Sequence, residues 1–182
     1  MQLSSNEPPW KLPARGKYSK FDSKRAQKFH GKDFKMPSFF PINSVLPQRV
    51  LVHVKDCCPD RYTKLFGFFY QAMWEGLGAE QLDISKPENV TKVLTHQDLF
   101  SVEEAQNILK AAGTAEIKAK LSKNTEHVAK DLGAFGAPWF WVDNGDGKPE
   151  PFFGSDRWHY MYAFLGVPHS GLKLEVPGGA KL

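Results

Sequence analysis

The feature that most restricts the fold of this chain is the scarcity of β-strand patterns in its sequence. Strand-forming residues flank a single hairpin signal, Asn144-Gly145, which suits the positive φ angles of a tight turn. The stretches WFWVD and PEPFF on the two sides of this turn predict two short antiparallel strands. Because two strands alone form a sheet of little stability, the hairpin must be covered by helices or joined by further strands.

Helix signals dominate the residues before the hairpin. Prolines and capping residues stand at the predicted starts and glycines at the predicted ends, and Ser101 followed by Glu104 forms a capping box. The prolines and glycine of residues 3–18 predict a loop there instead. The predicted helices cover 18–30, a segment starting near 45, 59–78, the stretch SKPENVTKVL, 101–113 and 114–133. The pattern is therefore five or six helices followed by a β-hairpin.

One more helix is predicted after the hairpin, in GSDRWHYMYAFLG. We expect Ser155 to cap it and Asp156 to lie in its first turn. The spacing of its apolar residues predicts an inward face. That face comprises Trp158, Met161, Tyr162 and Leu165.

Cysteine, histidine and hydropathy patterns exclude several classes of protein. Cys57 and Cys58 are adjacent, so they form neither a disulfide framework nor a C-x-x-C redox motif, and a reducing compartment is expected. The six histidines show no metal-binding spacing. No apolar run approaches the length of a membrane span.

Positive charge is concentrated near the start of the chain. From Lys11 to Lys35 there are nine Lys or Arg residues against two Asp, a net charge of +7 in a chain of +4. Such a segment favours an anionic partner, either a nucleic acid or a small anionic molecule, or else it is a solvated helix face.

A candidate binding site lies at the two ends of the hairpin. The small residues of GAFGAP allow another backbone to approach the start of the first strand at Pro138. Free N–H groups at the predicted helix start would attract a carboxylate, and Asp156 would accept a bond from an ammonium group. A ligand with both groups would suit this arrangement. A capping serine and a first-turn aspartate also need no ligand, so both interpretations stay open at this point.

The stretch DLGAFGAPWFWV, followed by FFGSDRWHYMYAFLG, resembles the C-terminal signature of kappa-class glutathione transferases in the DsbA-like thioredoxin superfamily. The stretch NEPPWKLPARGKY is similar to the family's loop after its second strand. The resemblance implies an α/β thioredoxin-like fold of the DsbA/kappa type with a helical insertion domain. The N-terminal half of the core would be missing, which leaves a mostly α chain with a C-terminal β-hairpin and helix. The implied domains are a loop at 1–16, the insertion at 17–132 and the ββα half with its tail at 133–182.

The resemblance also implies a glutathione site. Asn6 and Arg15 match loop positions near glutathione, where the family often has lysine in place of Arg15. Ala137, where the family commonly has leucine, precedes the cis proline Pro138 and would pair its backbone with the cysteinyl part of glutathione. Ser155 and Asp156 match the pair that holds the γ-glutamyl end. The family's S-P-Y-S motif does not occur in this sequence, so no catalytic residue is assigned. Glutathione would be a co-substrate, and no cofactor is expected.

The implied activity is conjugation of the glutathione thiolate to small electrophiles. The alternatives are a non-catalytic remnant that binds glutathione or dimerises, a glutathione-dependent isomerase, and a DsbA-like oxidoreductase, which the missing C-x-x-C disfavours. The resemblance implies a possible homodimer, whereas a nucleic-acid partner and a membrane span are not expected. The final Ala180-Lys181-Leu182 is close to the S-K-L signal, which predicts a peroxisomal and, from the family, also a mitochondrial location.

Overall fold

The computed structural model describes residues 7–8, 11–33, 35–78 and 80–170. Asn6 and the C-terminal tripeptide Ala180–Leu182 lie outside these described residues. The described chain divides into two compact units. The helical unit runs from Pro8 to Thr125, and the hairpin unit is built on the residues from Glu126 onward. This division falls a few residues before the boundary at 133 that the resemblance implied.

The helical unit consists of helices joined by short turns. The elements of this unit are α1 (Pro13–Phe29), α2 (Val45–Cys57), α3 (Pro59–Trp74), α4 (Pro87–Leu94), a 3₁₀ turn (His96–Asp98), α5 (Val102–Ala112) and α6 (Ala115–Glu126). Helix α2 packs against α3 and α5, and α4 also packs against both α3 and α5. Six α-helices therefore precede the hairpin in the described part of the chain, in agreement with the prediction of five or six.

Helix α1 corrects the last part of the loop predicted at residues 3–18, from residue 13 onward. The helix begins at Pro13, and the N–H of Gly16 already donates to the carbonyl of Leu12 at 2.9 Å. Proline suits the first position of a helix because its ring fixes a helical φ and the missing N–H would have no partner there. The sequence interpretation took Pro13 as a loop residue when it is the first residue of the helix. No described side chain of α1 is buried.

Helix α3 supplies the centre of the core. Its buried positions follow the spacing predicted for an amphipathic helix, with Leu65 fully inaccessible. The buried core side chains of the helical unit are Val50, Val54, Leu65, Phe68, Phe69, Ala72, Met73, Leu82, Ile84, Val90, Val93, Leu94, Leu99, Phe100, Ala105, Ile108 and Ala112. This core lies entirely within residues 8–125.

The capping box at the start of α5 is confirmed. The N–H of Glu104 donates to Oγ of Ser101 at 3.1 Å, and the N–H of Ser101 donates to Oε2 of Glu104 at 2.7 Å. Arg61 of α3 donates to the other oxygen of this carboxylate at 2.9 Å. These bonds hold the pKa of Glu104 below its usual range, with the backbone bond from Ser101 contributing most.

Replacing Ser101 with alanine should lower the free energy of unfolding by about 1 kcal/mol, since an N–H of the first turn of α5 loses its acceptor. Urea unfolding followed by circular dichroism measures this loss. Ser23→Ala is the matched control, because Ser23 bonds only a backbone carbonyl of its own helix, at 3.4 Å. Equal stability of the two variants would contradict a role for the cap.

The hairpin unit contains the predicted antiparallel pair. Strand β1 (Trp139–Val142) pairs with β2 (Glu150–Phe153), and Trp139 lies opposite Phe153 in the register. Asp143 Oδ1 accepts a bond from the N–H of Gly145 in the turn at 2.8 Å. Before the hairpin, α6 gives way to a π-helical turn at His127–Asp131, so the single helix predicted over 114–133 changes its hydrogen-bonding pattern after Glu126. The unit ends with helix α7 (Trp158–Phe164).

Helix α7 starts later than the sequence predicts. Its N-cap is Arg157, and no side chain caps it, so Ser155 is not the cap and Asp156 is not in the first turn. Residues 154–156 form a bend after β2, since Gly154 adopts a φ of +92°. The predicted inward face is also wrong for Trp158, Tyr162 and Leu165, which are all exposed. The fourth member, Met161, is half-buried.

Candidate functional site

The register of the hairpin brings the start of β1 beside the end of β2. The N–H of Gly154 donates to the carbonyl of Pro138 at 3.1 Å, which continues the ladder one residue beyond the Trp139–Phe153 pair. The two segments singled out in the sequence, Ala137-Pro138 and residues 154–156, are therefore neighbours. We define them together as the hairpin-end site.

Gly154 positions the carboxylate of this site. A Cβ atom built on Gly154 would lie 2.8 Å from Oδ1 of Asp156, and the φ of +92° is one that side chains rarely adopt. The Asp156 carboxylate therefore lies directly against the bare backbone of Gly154. The sequence interpretation missed this role of Gly154, although a glycine between a strand and a Ser-Asp pair was the available signal.

The backbone N–H and carbonyl of Ala137 lie at the other edge of the site. In the part of the chain that the structure describes, neither its N–H nor its carbonyl has a hydrogen-bond partner. Ala137 and Pro138 are both exposed, and the peptide bond between them is cis, as the resemblance implied. An exposed donor and acceptor on one residue can pair with an extended peptide in the manner of an added strand.

The polar side chains of the site are also open to a ligand. Ser155 and Asp156 are exposed, and no described residue hydrogen-bonds to either side chain. The site thus offers a hydroxyl, a carboxylate and a backbone donor–acceptor pair within one short stretch of the hairpin unit. This combination can bind a peptide-like molecule with an ammonium group.

Aromatic side chains support the hairpin-end site from within its own unit. Phe135 lies with its ring centroid 4.6 Å from that of Phe153 and 5.3 Å from that of Trp139. Phe140 contacts Trp158 at a centroid distance of 5.1 Å. These contacts connect both strands and the start of α7, so the backbone around Gly154 is held on either side.

The anion-binding helix start expected at Ser155 and Asp156 is not present there. Both residues precede α7, which has seven residues and begins at Trp158. The carboxylate-binding argument from a helix dipole is therefore wrong. What remains is hydrogen bonding by the Ser155 hydroxyl and the Asp156 carboxylate themselves.

The hairpin-end site does not include two of the predicted binding residues. Arg15 is exposed in the first turn of α1, in the helical unit. Asn6 is outside the described residues. The other four predicted binding residues, Ala137, Pro138, Ser155 and Asp156, all lie in the hairpin unit.

The described cavities and metal-ligating groups do not add to this site. Cavities of about 490 and 450 Å³ are lined by residues of the helical unit alone, among them His96 and Trp74. Across residues 7–8, 11–33, 35–78 and 80–170, no three His, Cys, Asp or Glu side chains cluster closely enough to hold a metal ion. Within the same ranges, no helix is long and apolar enough to cross a membrane.

Comparison with known proteins gives one family and several relatives. A family model described as a DSBA-like thioredoxin domain matches residues 1–166. "Glutathione s-transferase kappa 2" of Caenorhabditis elegans is 29% identical over 169 residues, covering 90% of this chain and 72% of that protein. Human "Glutathione S-transferase kappa 1" is 28% identical over 180 residues, covering 94% of this chain and 75% of that protein. "Glutathione S-transferase kappa 1" of C. elegans is 29% identical, covering 92% of this chain and 73% of that protein.

Proposed function

The chain belongs to the DSBA-like thioredoxin domain family, and from this membership we propose that it binds glutathione as a transferase of the kappa type. The observation that carries the proposal is the hairpin-end site, where an unpaired Ala137 backbone lies beside the exposed Ser155 and Asp156. The kappa glutathione transferases to which it is similar support the same substrate.

Each group of the site has a partner in glutathione. The N–H and carbonyl of Ala137 pair with the peptide backbone of the cysteinyl residue, in the manner of a short added strand. The Asp156 carboxylate accepts a charge-assisted bond from the γ-glutamyl ammonium group. The Ser155 hydroxyl donates to the γ-glutamyl carboxylate. A tripeptide with this charge pattern fits the site better than a nucleic acid, whose phosphates the Asp156 carboxylate would repel.

The proposed reaction is attack of the glutathione sulfur on an electrophilic carbon. A carbon–sulfur bond forms, and the displaced leaving group departs with the bonding electron pair. The hairpin-end site supplies binding and orientation of the thiol, which is a recognised part of the rate enhancement. The reaction also requires a group that stabilises the glutathione sulfur as a thiolate, and none of the hairpin-end residues has that role.

Replacing Asp156 with alanine should weaken glutathione binding about 10-fold or more, because the ammonium group loses a charge-assisted bond worth about 1.5–3 kcal/mol. Titration calorimetry with reduced glutathione measures the change. Glu150→Ala is the matched control, since it removes an exposed carboxylate from the same unit at the far end of β2. Equal affinities for the unmodified chain and Asp156→Ala would overturn the site assignment.

The same protein preparations separate transfer from binding alone. Turnover of chlorodinitrobenzene with glutathione by the chain, reduced in Asp156→Ala, would support the transferase. Glutathione binding without turnover would support a non-catalytic glutathione-binding protein instead. A chain that neither binds glutathione nor catalyses its transfer would overturn the proposed function as a whole.

A further inference from the structure

Two neighbouring thiols meet at the junction of α2 and α3. Cys57 ends α2, Pro59 begins α3, and Cys58 between them has the non-helical angles φ −143° and ψ 58°. Both cysteines are free, and their Sγ atoms lie 3.3 Å apart. Consecutive side chains diverge along a helix and alternate across a strand, so this approach exists only because the chain turns at Cys58.

The spacing of the two sulfurs selects a coordination geometry. With bonds to sulfur of about 2.3 Å, two sulfurs 3.3 Å apart subtend an angle near 90° at a shared centre. A tetrahedral centre with the same bonds needs about 3.8 Å between sulfurs, and a linear centre needs about 4.6 Å. The pair therefore fits a pyramidal, three-coordinate centre. A tetrahedral zinc site would in addition need four ligands, and the described residues provide no cluster of even three.

The surroundings of Cys57 favour the protonated form of its thiol. Partial desolvation of the sulfur, together with its contact to Cys58, raises the pKa of Cys57 to about 11, while the residue stays exposed to solvent. The guanidinium of Arg61, in the first turn of α3, donates to Glu104 at 2.9 Å. Asp56, next to Cys57, is paired with Lys120. A thiol with so high a pKa is a weak nucleophile at neutral pH, which disfavours a redox role for the pair.

We propose that Cys57 and Cys58 form a chelating site for monosubstituted trivalent arsenicals. In a dihydroxyarsine, two hydroxyl groups and one carbon substituent surround a pyramidal arsenic atom that carries a lone pair. Each thiol forms one sulfur–arsenic bond and one arsenic–oxygen bond breaks, and the thiol proton leaves with the hydroxyl as water. Two waters are released in all. Arsenic stays trivalent, so the step needs no oxidant or reductant. The site is independent of the proposed glutathione site.

Mass spectrometry of the reduced full chain with phenylarsine oxide tests the proposal. We expect one adduct, in which the phenylarsenic unit replaces two hydrogens, that survives excess glutathione and is removed by dimercaptopropanol. Loss of the adduct in excess glutathione would overturn the proposal, because a single sulfur–arsenic bond exchanges with monothiols and a chelate resists them.

The single variants Cys57→Ser and Cys58→Ser should each lose affinity about 100-fold or more, since each retains one of the two linked sulfurs. Unchanged affinity in either variant would overturn the proposal. A measurement on the unmutated chain does not depend on how these variants fold. There, the bound arsenical should prevent N-ethylmaleimide from labelling both cysteines, and labelling of either cysteine at its free rate would also overturn the proposal.

Discussion

Replacing Leu65 with alanine should lower the free energy of unfolding by about 2–5 kcal/mol, which is the largest loss we expect from a single substitution in this chain. Leu65 lies on α3 with no exposed surface, among the buried side chains of the helical unit. Alanine at this position removes apolar contacts and leaves a cavity that the surrounding helices fill only in part. Natural domains are stable by only about 5–15 kcal/mol, so the loss is a large share of the total.

Urea unfolding at 25 °C, followed by circular dichroism at a helix-sensitive wavelength, measures this effect because the long helices lie mostly within residues 13–126. The midpoint should fall while the slope stays constant. Leu65→Met keeps most of the volume and should cost less than about 1.5 kcal/mol. Val102→Ala is a surface control, since that valine is 62% exposed. A Leu65→Ala loss no greater than that of Val102→Ala would contradict the placement of the core around α3.

The helical unit was largely predictable from sequence, because its boundaries are set by local chemistry. Ser101 and Glu104 specify their cap through contacts three residues apart, and Pro59 starts α3 by its fixed φ. The buried stripe of α3 follows from the period of the helix alone. Pro13 was not predictable in this way, since proline is compatible both with a loop and with the first position of a helix.

The geometry of the candidate site could not be predicted from the sequence. Ser155 has the side chain of an N-cap, and capping propensity placed the helix start there. The backbone at Gly154 instead turns away at positive φ, and α7 begins only at Trp158. The closeness of Cys57 and Cys58 was equally hidden, because it depends on the non-helical backbone conformation of Cys58. In each case the deciding fact is a backbone conformation that the residue types permit and do not require.

Replacing Gly154 with alanine should destabilise the hairpin by about 1–3 kcal/mol, the cost of a side chain held at an unfavourable φ. It should also weaken glutathione binding by as much as Asp156→Ala or less, because the new Cβ displaces Oδ1 of Asp156 from the space that it now fills. Hydrogen exchange of the β1 and β2 amides measures the first effect, and calorimetry with glutathione measures the second. Gly145→Ala is the matched control, since Gly145 has a φ of +91° in the same hairpin but no atom within 4 Å of its would-be Cβ.

The two glycine variants separate backbone strain from displacement of the carboxylate. Both variants place a side chain at a positive φ, so in both the hairpin amides should exchange hydrogen faster. Only Gly154→Ala should also lose affinity for glutathione. The double variant Gly154→Ala with Asp156→Ala should bind glutathione no more weakly than Asp156→Ala alone, because a carboxylate that is already absent cannot be displaced. Additive losses of affinity would show that Gly154 serves the ligand through its own backbone. Equal losses in Gly145→Ala and Gly154→Ala would show that the hairpin as a whole, rather than the position of Asp156, governs binding.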